Sequence, residues 1–229
     1  MPVIAIVGAG PGMGLSIARR FGAEGFQVAL ISRTLGKVEA LAAQLVEDGV
    51  EAAGFAADVM RPDTVRSALA AAADRFGPVD VLEYSPADRG LAGVAAADAT
   101  AGDLQPQIDH YLYGAVAAVN QVLPGMLERG SGTLLFSTGG SSVQPRGGTF
   151  ASIGVAAASL RNYAMTLNVE LAEQGIHAAH VAISVFIGSG PGTEADTIAE
   201  HYWTAHTERD KPEIVHALPG DAPKGLPAA

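Results

Sequence analysis

The chain has no cysteine among its 229 residues. This absence excludes disulfides, thiolate nucleophiles, and zinc or iron–sulfur sites with cysteine ligands. Charged residues are also few, at 17%, whereas hydrophobic residues make up 48%, which is the opposite of the balance in disordered chains. No apolar run reaches the ~18 residues that a membrane-spanning helix requires. We therefore expect a folded, soluble protein without a membrane span.

Basic residues are scarce as well. The 14 lysines and arginines stand against 24 acidic residues, which gives a formal net charge of −10. Because this charge repels phosphate backbones and anionic lipids, and no basic cluster offsets it, we expect neither nucleic acid nor a membrane as a partner. The first apolar stretch starts at residue 2 with no cationic segment before it, so we expect a cytoplasmic protein.

Short apolar runs alternate with helical patterns along the chain. The runs lack polar alternation, as strands do when a parallel sheet buries both of their faces. The helical segments carry apolar residues at i, i+3, i+4 and i+7, or are rich in small residues. The predicted strands are Pro2–Val7, Phe26–Ile31, Val50–Ala57, Val79–Tyr84, Thr133–Ser137 and Ile176–Phe186, and the predicted helices include residues 35–48, a segment after Pro62, Asp103–Glu128 and Thr149–Gln174.

This order predicts an α/β fold of a single domain, a doubly wound parallel sheet flanked by helices. The length, which lies between one and two average domains of ~150 residues, is compatible with that fold. We place the domain at residues 1–209, with a lid over the substrate at about 184–209. The stretch Asp210–Ala229 contains four prolines and is interpreted as a loosely held tail, the alternative being an extended arm docked on a neighbour.

A glycine-rich loop from Gly8 to Gly14 follows the first predicted strand and precedes a helical run, Leu15–Glu24. Glycines allow the backbone to turn sharply and to approach a pyrophosphate, which the N–H groups and dipole of the helix N-terminus then bind. The alternative is a strand-to-helix turn without a ligand. The position of the loop within a βαβ unit favours the nucleotide site.

The spacing Gly8-x-x-x-Gly12-x-Gly14 resembles the cofactor loop of the short-chain dehydrogenase/reductase family. The resemblance extends over nearly the whole chain, and its cofactor half is the specific part. It implies a Rossmann-like fold, a nicotinamide dinucleotide cofactor and a small-molecule substrate. The other matching segments are Ser32-Arg33, Ala57-Asp58-Val59, Gly77–Leu82, Leu123–Met126, Gly132–Leu135 and Gly175–His177.

The end of the second strand distinguishes the two nicotinamide dinucleotides, because an acidic residue there accepts the ribose hydroxyls of NAD. Ser32 and Arg33 stand there instead, and a hydroxyl with a guanidinium favours the 2′-phosphate of NADP. We expect NADP(H) to be preferred over NAD(H), the alternative being that Arg33 is a solvated surface charge. By resemblance, Asp58 binds the adenine amino group and Val59 lines its pocket, although a turn or cap role fits Asp58 equally. The expected cofactor-binding residues are Gly8, Gly12, Met13, Gly14, Ser32, Arg33, Asp58, Val59, Ser85 and Pro86.

The catalytic pair of the family is missing from its expected position. The resemblance implies Tyr-x-x-x-Lys in the second long helix, but Phe150 and Gly154 stand there, and no tyrosine of the chain is followed by a lysine four positions later. Because phenylalanine has no titratable proton, the usual general acid is absent. Gly114 indicates that Tyr111 fills the position of the family's helix-four asparagine. The site is therefore either rebuilt or abandoned.

In a rebuilt site, Tyr111 is the leading replacement acid, with a phenol that fills the space left by the missing lysine and asparagine. Ser137 matches the family's serine, which orients the carbonyl, and Thr138, Ser141 or Ser142 would serve if the loop is shifted. The alternative for each is an ordinary packing role. The candidate catalytic residues are Tyr111, Ser137 and Thr138.

The histidines do not predict a metal site. His177 and His180 lie three apart on a predicted strand and face opposite sides. His201 and a second histidine five positions later have poor ligand spacing on a predicted helix, which is interpreted as the lid or wall of the substrate pocket. His110 is the runner-up acid, but it points about 100° away from its neighbour Tyr111 on a helix.

Three functions remain possible on these observations. The preferred one is an NADP(H)-binding oxidoreductase with a modified active site, which reduces a carbonyl or oxidises an alcohol of a small organic molecule. The second is a catalytically inactive dinucleotide-binding relative that acts as a sensor or scaffold. The third is an enzyme of another class that uses the pocket without hydride transfer. The two long helices also resemble the family's oligomer interface, so we expect a homodimer or homotetramer.

Overall fold

The described part of the chain, residues 1–88 and 90–218, folds around one parallel sheet in the computed structural model. The strands are β1 (Val3–Val7), β2 (Gln27–Ser32), β3 (Ala52–Ala56), β4 (Val81–Tyr84), β5 (Gly132–Gly139), β6 (Ile176–Ile183) and β7 (Glu213–His216). They lie in the order β3-β2-β1-β4-β5-β6-β7, and all neighbours are parallel. Since the winding direction reverses between β1 and β4, a crevice opens there at the carboxyl ends of the strands.

Two layers of helices cover the sheet. The helices are α1 (Met13–Gly22), α2 (Leu35–Glu47), α3 (Pro62–Phe76), α4 (Ala101–Ile108), α5 (Gly114–Arg129), α6 (Phe150–Leu171) and α7 (Ala195–Glu208). Buried side chains of α1, α2 and α7 pack on one face, and those of α3, α5 and α6 pack on the other. The predicted single-domain, doubly wound α/β fold is confirmed.

Both faces of the central strands are buried, which explains their continuous apolar sequences. All five residues of β1 are buried, and so are the four of β4. Burying a valine or isoleucine side chain contributes about 1.5–3 kcal/mol, so these strands supply much of the core. Among the residues that the structure describes, no helix has the length and hydrophobicity needed to cross a bilayer.

The predicted helix Asp103–Glu128 is not continuous. A π-helical turn, Asp109–Tyr113, separates α4 from α5. This wider turn is linked to the sheet by a hydrogen bond: the hydroxyl of Tyr84 on β4 donates to the His110 carbonyl at 2.5 Å. π-helical turns are frequent at functional sites. This one carries Tyr111, the leading candidate acid.

The tail predicted from Asp210 onward is wrong for its first residues. Residues Glu213–His216 form β7, the edge strand of the sheet, in parallel register with β6. The prolines of this stretch misled the prediction, since Pro212 directly precedes the strand and its carbonyl accepts the first hydrogen bond of the pair. The tail residues from 219 onward lie outside the described residues.

The second half of the predicted lid at 184–209 is a helix that packs into the core. Helix α7 packs against the sheet on the same side as α1, with Ile198, Ala199 and Tyr202 fully or almost fully buried. Trp203, on the same helix, packs edge-on against Phe21. This packing fits the alternative of a wall, and the lid over the substrate stays a prediction.

Candidate active site

Two adjoining cavities occupy the crevice at the carboxyl ends of β1 and β4. The first, about 260 Å³, extends toward β2, and the second, about 600 Å³, extends toward β5. We call them the β2-side and β5-side cavities. Gly8, Gly10, Pro86 and Ala87 line both of them. The two cavities are therefore halves of one cleft that passes over the glycine loop.

The glycine loop forms the floor between the two halves. Gly8 has a φ of +102°, and a Cβ there would lie 2.7 Å from the Ser85 carbonyl carbon. A Cβ on Gly14 would lie 2.9 Å from Ala9 Cα, so helix α1 also packs too closely for a side chain. Gly10 and Gly12 differ, because a Cβ on either would meet nothing within 4 Å. These two glycines border open space, and the backbone leading into α1 forms a cradle there.

The β2-side cavity carries the basic groups. Ser32, Arg33 and Lys37 line it, together with the carboxylate of Asp88. Arg33 Nη1 lies 2.6 Å from Asp88 Oδ2, and the arginine side chain is 57% exposed. The Gly90 amide, followed by Arg33, holds the pKa of Asp88 below its usual range. Sequence reasoning missed Lys37, although its place one turn into the helix after β2 is a detectable signal.

Asp58 has a local structural role as well as a place in this cavity. Its carboxylate accepts a hydrogen bond from the Met60 N–H at 3.1 Å and lies 3.4 Å from Arg61 Nε. Asp58 and Val59 both line the β2-side cavity. The turn role and the cofactor role, which the sequence left open, are therefore geometrically compatible.

The π-helical turn sends its two candidate acids into different halves of the cleft. Tyr111 lines the β5-side cavity, whereas His110 lines the β2-side cavity. His110 Nε2 lies 3.1 Å from the Pro86 carbonyl oxygen. Burial lowers the pKa of His110, so the ring is neutral at neutral pH. His110 is thus separated from the hydroxyl groups around Tyr111.

Ser137 joins a buried carboxyl to a buried phenol. Its hydroxyl lies 2.9 Å from Glu83 Oε1 and 2.6 Å from the Tyr202 hydroxyl. The Ser85 hydroxyl donates to the other Glu83 oxygen at 2.8 Å. Burial raises the pKa of Glu83 to about 8, against the opposing effect of the two serine hydrogen bonds. Sequence reasoning missed Glu83, yet a single acidic residue inside the apolar run Val79–Tyr84 was a signal.

Thr138 points to the opposite face of β5 and makes a second network. Its Oγ1 lies 2.8 Å from His180 Nε2, and His180 Nδ1 lies 3.0 Å from Glu213 Oε1. Arg161 donates two hydrogen bonds to Glu213, at 2.5 and 2.7 Å. The sequence could not reveal this network, because Glu213 fell in the predicted tail and His180 was considered only as a metal ligand. Within residues 1–88 and 90–218, no cluster of metal-binding side chains is found.

Phe150 and Gly154 lie at the start of α6, outside the β5-side cavity. Phe150 is 47% exposed and borders a separate cavity of about 170 Å³ together with Arg146. A Cβ on Gly154 would lie 3.3 Å from the Ser141 carbonyl oxygen. Neither residue brings a polar side chain to the cleft.

Comparison with known protein families identifies a family whose sequence model matches this chain. The model of the short chain dehydrogenase family matches residues 2–189, most of the chain. The chain belongs to the short-chain dehydrogenase family. The resemblance drawn from the glycine loop is thereby confirmed, and with it the assignment of this chain to a family of oxidoreductases that bind a nicotinamide dinucleotide and act on small molecules.

Its relatives in the family are reductases and dehydrogenases. A Streptomyces coelicolor protein assigned as a ketoacyl reductase is 31% identical over 224 residues, which cover 95% of this chain and 82% of the relative. The 2-(S)-hydroxypropyl-CoM dehydrogenase 3 of Xanthobacter autotrophicus is 38% identical over 133 residues, covering 58% of this chain and 51% of the relative. The serine 3-dehydrogenase of Agrobacterium fabrum is 29% identical over 178 residues, or 78% of this chain and 69% of the relative.

Solved structures of the family share the fold. A variant of actinorhodin polyketide ketoreductase with NADPH has a TM-score of 0.75 and 31% identity, covering 88% of this dehydrogenase-family chain and 75% of its own. L-Sorbose reductase from Gluconobacter frateurii, solved with NADPH and L-sorbose, has a TM-score of 0.82 over 95% of this chain and 96% of its own. At 21% identity, the second likeness concerns the fold alone.

The residues of the cleft fit a dinucleotide. The open cradle at Gly10 and Gly12 leads into the first turn of α1, where unpaired backbone N–H groups and the helix dipole favour a pyrophosphate. The two cavities extend from this cradle in opposite directions, as the two halves of a dinucleotide require. A side chain at either open glycine would project into that space.

Proposed function

We propose that this chain is an NADP(H)-dependent oxidoreductase with a modified active site, which reduces a carbonyl or oxidises an alcohol of a small organic molecule. One observation carries the proposal: the glycine cradle leads from a cavity with two basic side chains to a cavity lined by hydroxyl groups. The first cavity suits a phosphorylated nucleoside, and the second suits the reacting oxygen of a substrate.

Each half of the dinucleotide has its own residues. Asp58 and Val59 hold the adenine, and the first turn of α1 holds the pyrophosphate. The glycine loop, with Met13, Ser85 and Pro86, encloses the nicotinamide end. When bound, the nicotinamide accepts a hydride from an alcohol or supplies one to a carbonyl.

The preference for NADP(H) is supported by the charges at the end of β2. Arg33 and Lys37 both line the β2-side cavity, and Ser32 adds a hydroxyl. Arginine binds a phosphate through two parallel hydrogen bonds, whereas lysine acts as a point charge. The ketoreductase relative that is 31% identical was solved with NADPH. A 2′-phosphate is therefore the group that we place beside Arg33.

The active site is modified because Phe150 and Gly154 supply neither a phenol nor an amine. Five hydroxyl-bearing side chains line the β5-side cavity, and two of them are Ser85 and Tyr202. The other three, Tyr111, Ser137 and Thr138, are the candidates to replace the missing groups. We assign them to the substrate oxygen, since hydroxyl donors aimed at a carbonyl stabilise the charge that develops there. Tyr111 supplies its phenol from the π-helical turn, whereas Ser137 and Thr138 belong to β5.

The decisive experiment is a fluorescence titration of the purified protein with NADPH and NADH side by side. We expect micromolar binding that prefers NADPH, and we expect Arg33→Ala to remove most of that preference. Arg19→Ala is the matched control, because Arg19 is an exposed arginine that pairs with Asp48 away from the cleft. Absence of binding to either dinucleotide would refute the proposal.

A second candidate function, a catalytically inactive dinucleotide-binding sensor or scaffold, is favoured by a specific observation. The residue at the family's tyrosine position, Phe150, lies 47% exposed outside the β5-side cavity and has no proton to transfer. This candidate predicts binding of NADPH without turnover of any member of a broad panel of carbonyls and alcohols. Turnover of one panel member would exclude it.

We also propose that the protein is a homodimer or homotetramer through its two long helical segments. Apolar side chains remain exposed on them, among them Leu127 on α5 and Val155 and Val169 on α6. Exposed apolar residues on one face are typical of association surfaces. Light scattering at micromolar concentration tests this, and a monomeric mass would contradict it.

A further inference from the structure

Thr138, His180 and Glu213 form a chain of hydrogen bonds that starts at the wall of the β5-side cavity and runs into the sheet. The three residues lie on adjacent strands, and in the register of β6 with β7 His180 lies directly opposite Glu213. Thr138 lines the cavity, whereas His180 is fully buried. A hydroxyl, an imidazole and a carboxylate in this order form an arrangement in which the imidazole activates the hydroxyl and the carboxylate orients the imidazole.

The protons in this series of hydrogen bonds can be assigned by elimination. Burial acts to raise the pKa of Glu213, but its hydrogen bonds and charge contacts with Arg161 and His180 outweigh burial and hold the pKa at about 2. The ionised carboxylate only accepts hydrogen bonds, so His180 Nδ1 carries the ring proton. Burial lowers the pKa of His180, which leaves the ring neutral at neutral pH. The Thr138 hydroxyl has one proton and two acceptors within reach, Ser142 Oγ at 2.7 Å and His180 Nε2 at 2.8 Å. We assign the proton to His180 Nε2, because the described residues place no other donor on that nitrogen.

Charged groups face His180 from two elements among the described residues. Glu213 on β7 stabilises an imidazolium, and Arg161 on α6 opposes it while it fixes the carboxylate. Two hydroxyls, 2.7 Å apart, also lie near the ring: Thr138 on β5 and Ser142 in the short 3-10 helix Gly140–Ser142 that follows this strand. The His180 imidazole is thus neutral at rest. The Glu213 carboxylate beside it stabilises the positive charge that the imidazole gains when it takes up a proton.

We propose that Thr138 is the hydroxyl through which this site exchanges a proton with its substrate, and that His180, oriented by Glu213, takes up and returns that proton. The proposal rests on the proposed function and deepens it by assigning the path of the proton. Tyr111 is a weaker candidate for that step, because the described residues place no hydrogen-bond partner on its hydroxyl to which a proton could pass. Its role is that of a donor to the substrate oxygen.

In the oxidation of an alcohol, the O–H bond of the substrate breaks and its proton passes to Thr138 Oγ1, while the Thr138 proton passes to His180 Nε2. The electron pair of the adjacent C–H bond leaves as hydride to the oxidised nicotinamide dinucleotide, which is the oxidant. The products are a carbonyl compound, the reduced dinucleotide and an imidazolium beside Glu213. Once the product has left, the imidazolium passes its proton to Thr138 Oγ1, and Thr138 gives its own proton to water that enters the cavity. Carbonyl reduction is the reverse and starts from the imidazolium.

The kinetic test replaces the hydroxyl without changing the shape of the side chain. Thr138→Val is expected to lower kcat for alcohol oxidation about 100-fold or more, the usual contribution of a positioned proton acceptor, while NADPH binding is unchanged. Thr138→Ser, which keeps the hydroxyl, is expected to restore most of the activity. Thr133→Val is the matched control, since Thr133 lies on the same strand and contacts His206 at 2.9 Å, but outside both cavities.

The pH test follows the imidazole itself. We expect the rate of alcohol oxidation to fall as the pH drops through the pKa of His180, because the protonated ring accepts no proton. Glu213→Gln removes the charge that stabilises the imidazolium, so both this fall and the His180 pKa should move to lower pH. Nitrogen-15 NMR of the free protein, with histidines labelled, measures that pKa independently of turnover.

The outcomes distinguish two proposals: the oxidoreductase function, and the proton transfer through Thr138 and His180, which we call the relay. A wild-type protein that binds NADPH and turns over no alcohol or carbonyl overturns both together. Turnover that persists in Thr138→Val overturns the relay and leaves the oxidoreductase intact. If Glu213→Gln only lowers thermal stability, with the pH profile of oxidation unmoved, the network is structural and the relay is again overturned.

Discussion

Ser137 lines the β5-side cavity and donates a hydrogen bond to Glu83 across 2.9 Å. Glu83 is fully buried, and burial raises its pKa to about 8. At neutral pH this carboxyl is therefore mostly protonated, which is unusual for a glutamate and costly to reverse inside the core. The pair links the stability of the fold to the hydroxyl groups of the active site.

The first prediction concerns the pH dependence of stability. The folded pKa of Glu83 lies above the unfolded value of 4.5, so the folded state binds one more proton between pH 4.5 and 8. Glu83 therefore stabilises the fold fully below pH 4.5, and its contribution is lost as the pH rises toward 8, at up to about 1.4 kcal/mol per pH unit. Glu83→Gln, which resembles the protonated acid, should remove this loss. Urea unfolding at pH 5 and pH 8 measures the difference, with the exposed Glu51→Gln as control.

If the difference in stability between wild type and Glu83→Gln is the same at both pH values, the carboxyl is not buried in its neutral form. Other groups do not obscure the result. The histidines with lowered pKa values, such as His110, change the stability of both proteins equally, so the comparison cancels their effect.

The second prediction concerns the ion pair between Arg33 and Asp88. Asp88 places a negative charge at the position proposed for the 2′-phosphate and occupies the Arg33 guanidinium. Asp88→Asn should therefore tighten NADPH binding about two- to fivefold, the range expected for a partly exposed pair worth less than about 1 kcal/mol. NADH binding should change little. Fluorescence titration measures both, and Asp63→Asn is a control at an exposed pair away from the cleft.

In the double variant that combines Asp88→Asn with Arg33→Ala, the gain should disappear, because the freed guanidinium is its source. The gain should also shrink at high salt, as exposed charge interactions do. A gain in NADPH affinity that survives the loss of Arg33 would show that Asp88 acts on the nucleotide directly and not through the arginine.

The third prediction separates hydrogen bonding from proton transfer in the β5-side cavity. Tyr111→Phe removes a donor to the substrate oxygen and should lower kcat about 10-fold or more, with the pH profile unchanged. Ser137→Ala removes a second hydroxyl from the cavity and also a hydrogen bond to Glu83. It should lower kcat to a similar degree and reduce stability by about 1–3 kcal/mol, since a buried acceptor loses its partner. Unchanged rates in both variants would remove these residues from the mechanism.

The sequence was most informative where a local pattern has one physical meaning. The glycine spacing from Gly8 to Gly14 predicted the loop between β1 and α1, and the structure shows that neither of these two glycines has room for a side chain. The apolar run that contains Val3–Val7 predicted a strand buried on both faces. The order of such runs sufficed for the fold. The position of Arg33 directly after β2 was also predicted, whereas its role toward a 2′-phosphate stays a prediction.

The sequence was least informative where the site is made by contacts between distant segments. Glu213 contacts His180, which lies 33 positions earlier in the sequence. Glu213 belongs to β7, a strand in the proline-rich stretch that was predicted to be a tail. Tyr202 reaches Ser137 across 65 positions. The Tyr84 hydroxyl contacts the π-helical turn that carries Tyr111, and no helical periodicity reveals this contact. Such pairings depend on the register of strands and on helix packing, and a periodicity does not encode either.

The fourth prediction tests how tightly the π-helical turn is fixed. Gly114 follows the turn, and a Cβ there would overlap the Tyr84 hydroxyl and lie 3.0 Å from Val59 Cβ. Gly114→Ala should therefore destabilise the fold by about 1–3 kcal/mol, the usual cost of overpacking a core. In the background of Tyr84→Phe, which removes the hydroxyl, the same substitution should cost less. Gly36→Ala is the matched control, because Gly36 is a helical glycine whose Cβ would meet nothing within 4 Å.

The control substitution is expected to be neutral or to stabilise by up to about 1 kcal/mol, as alanine does in an open helical position. Equal costs of Gly114→Ala with and without the Tyr84 hydroxyl would mean that the clash with Val59 dominates and that the turn is not anchored by Tyr84. If the hydroxyl is the anchor, Tyr84→Phe alone should also lower kcat, because the His110 carbonyl loses its donor and the adjacent Tyr111 is no longer held at the cavity wall. Urea unfolding and turnover of the same four proteins decide between the two.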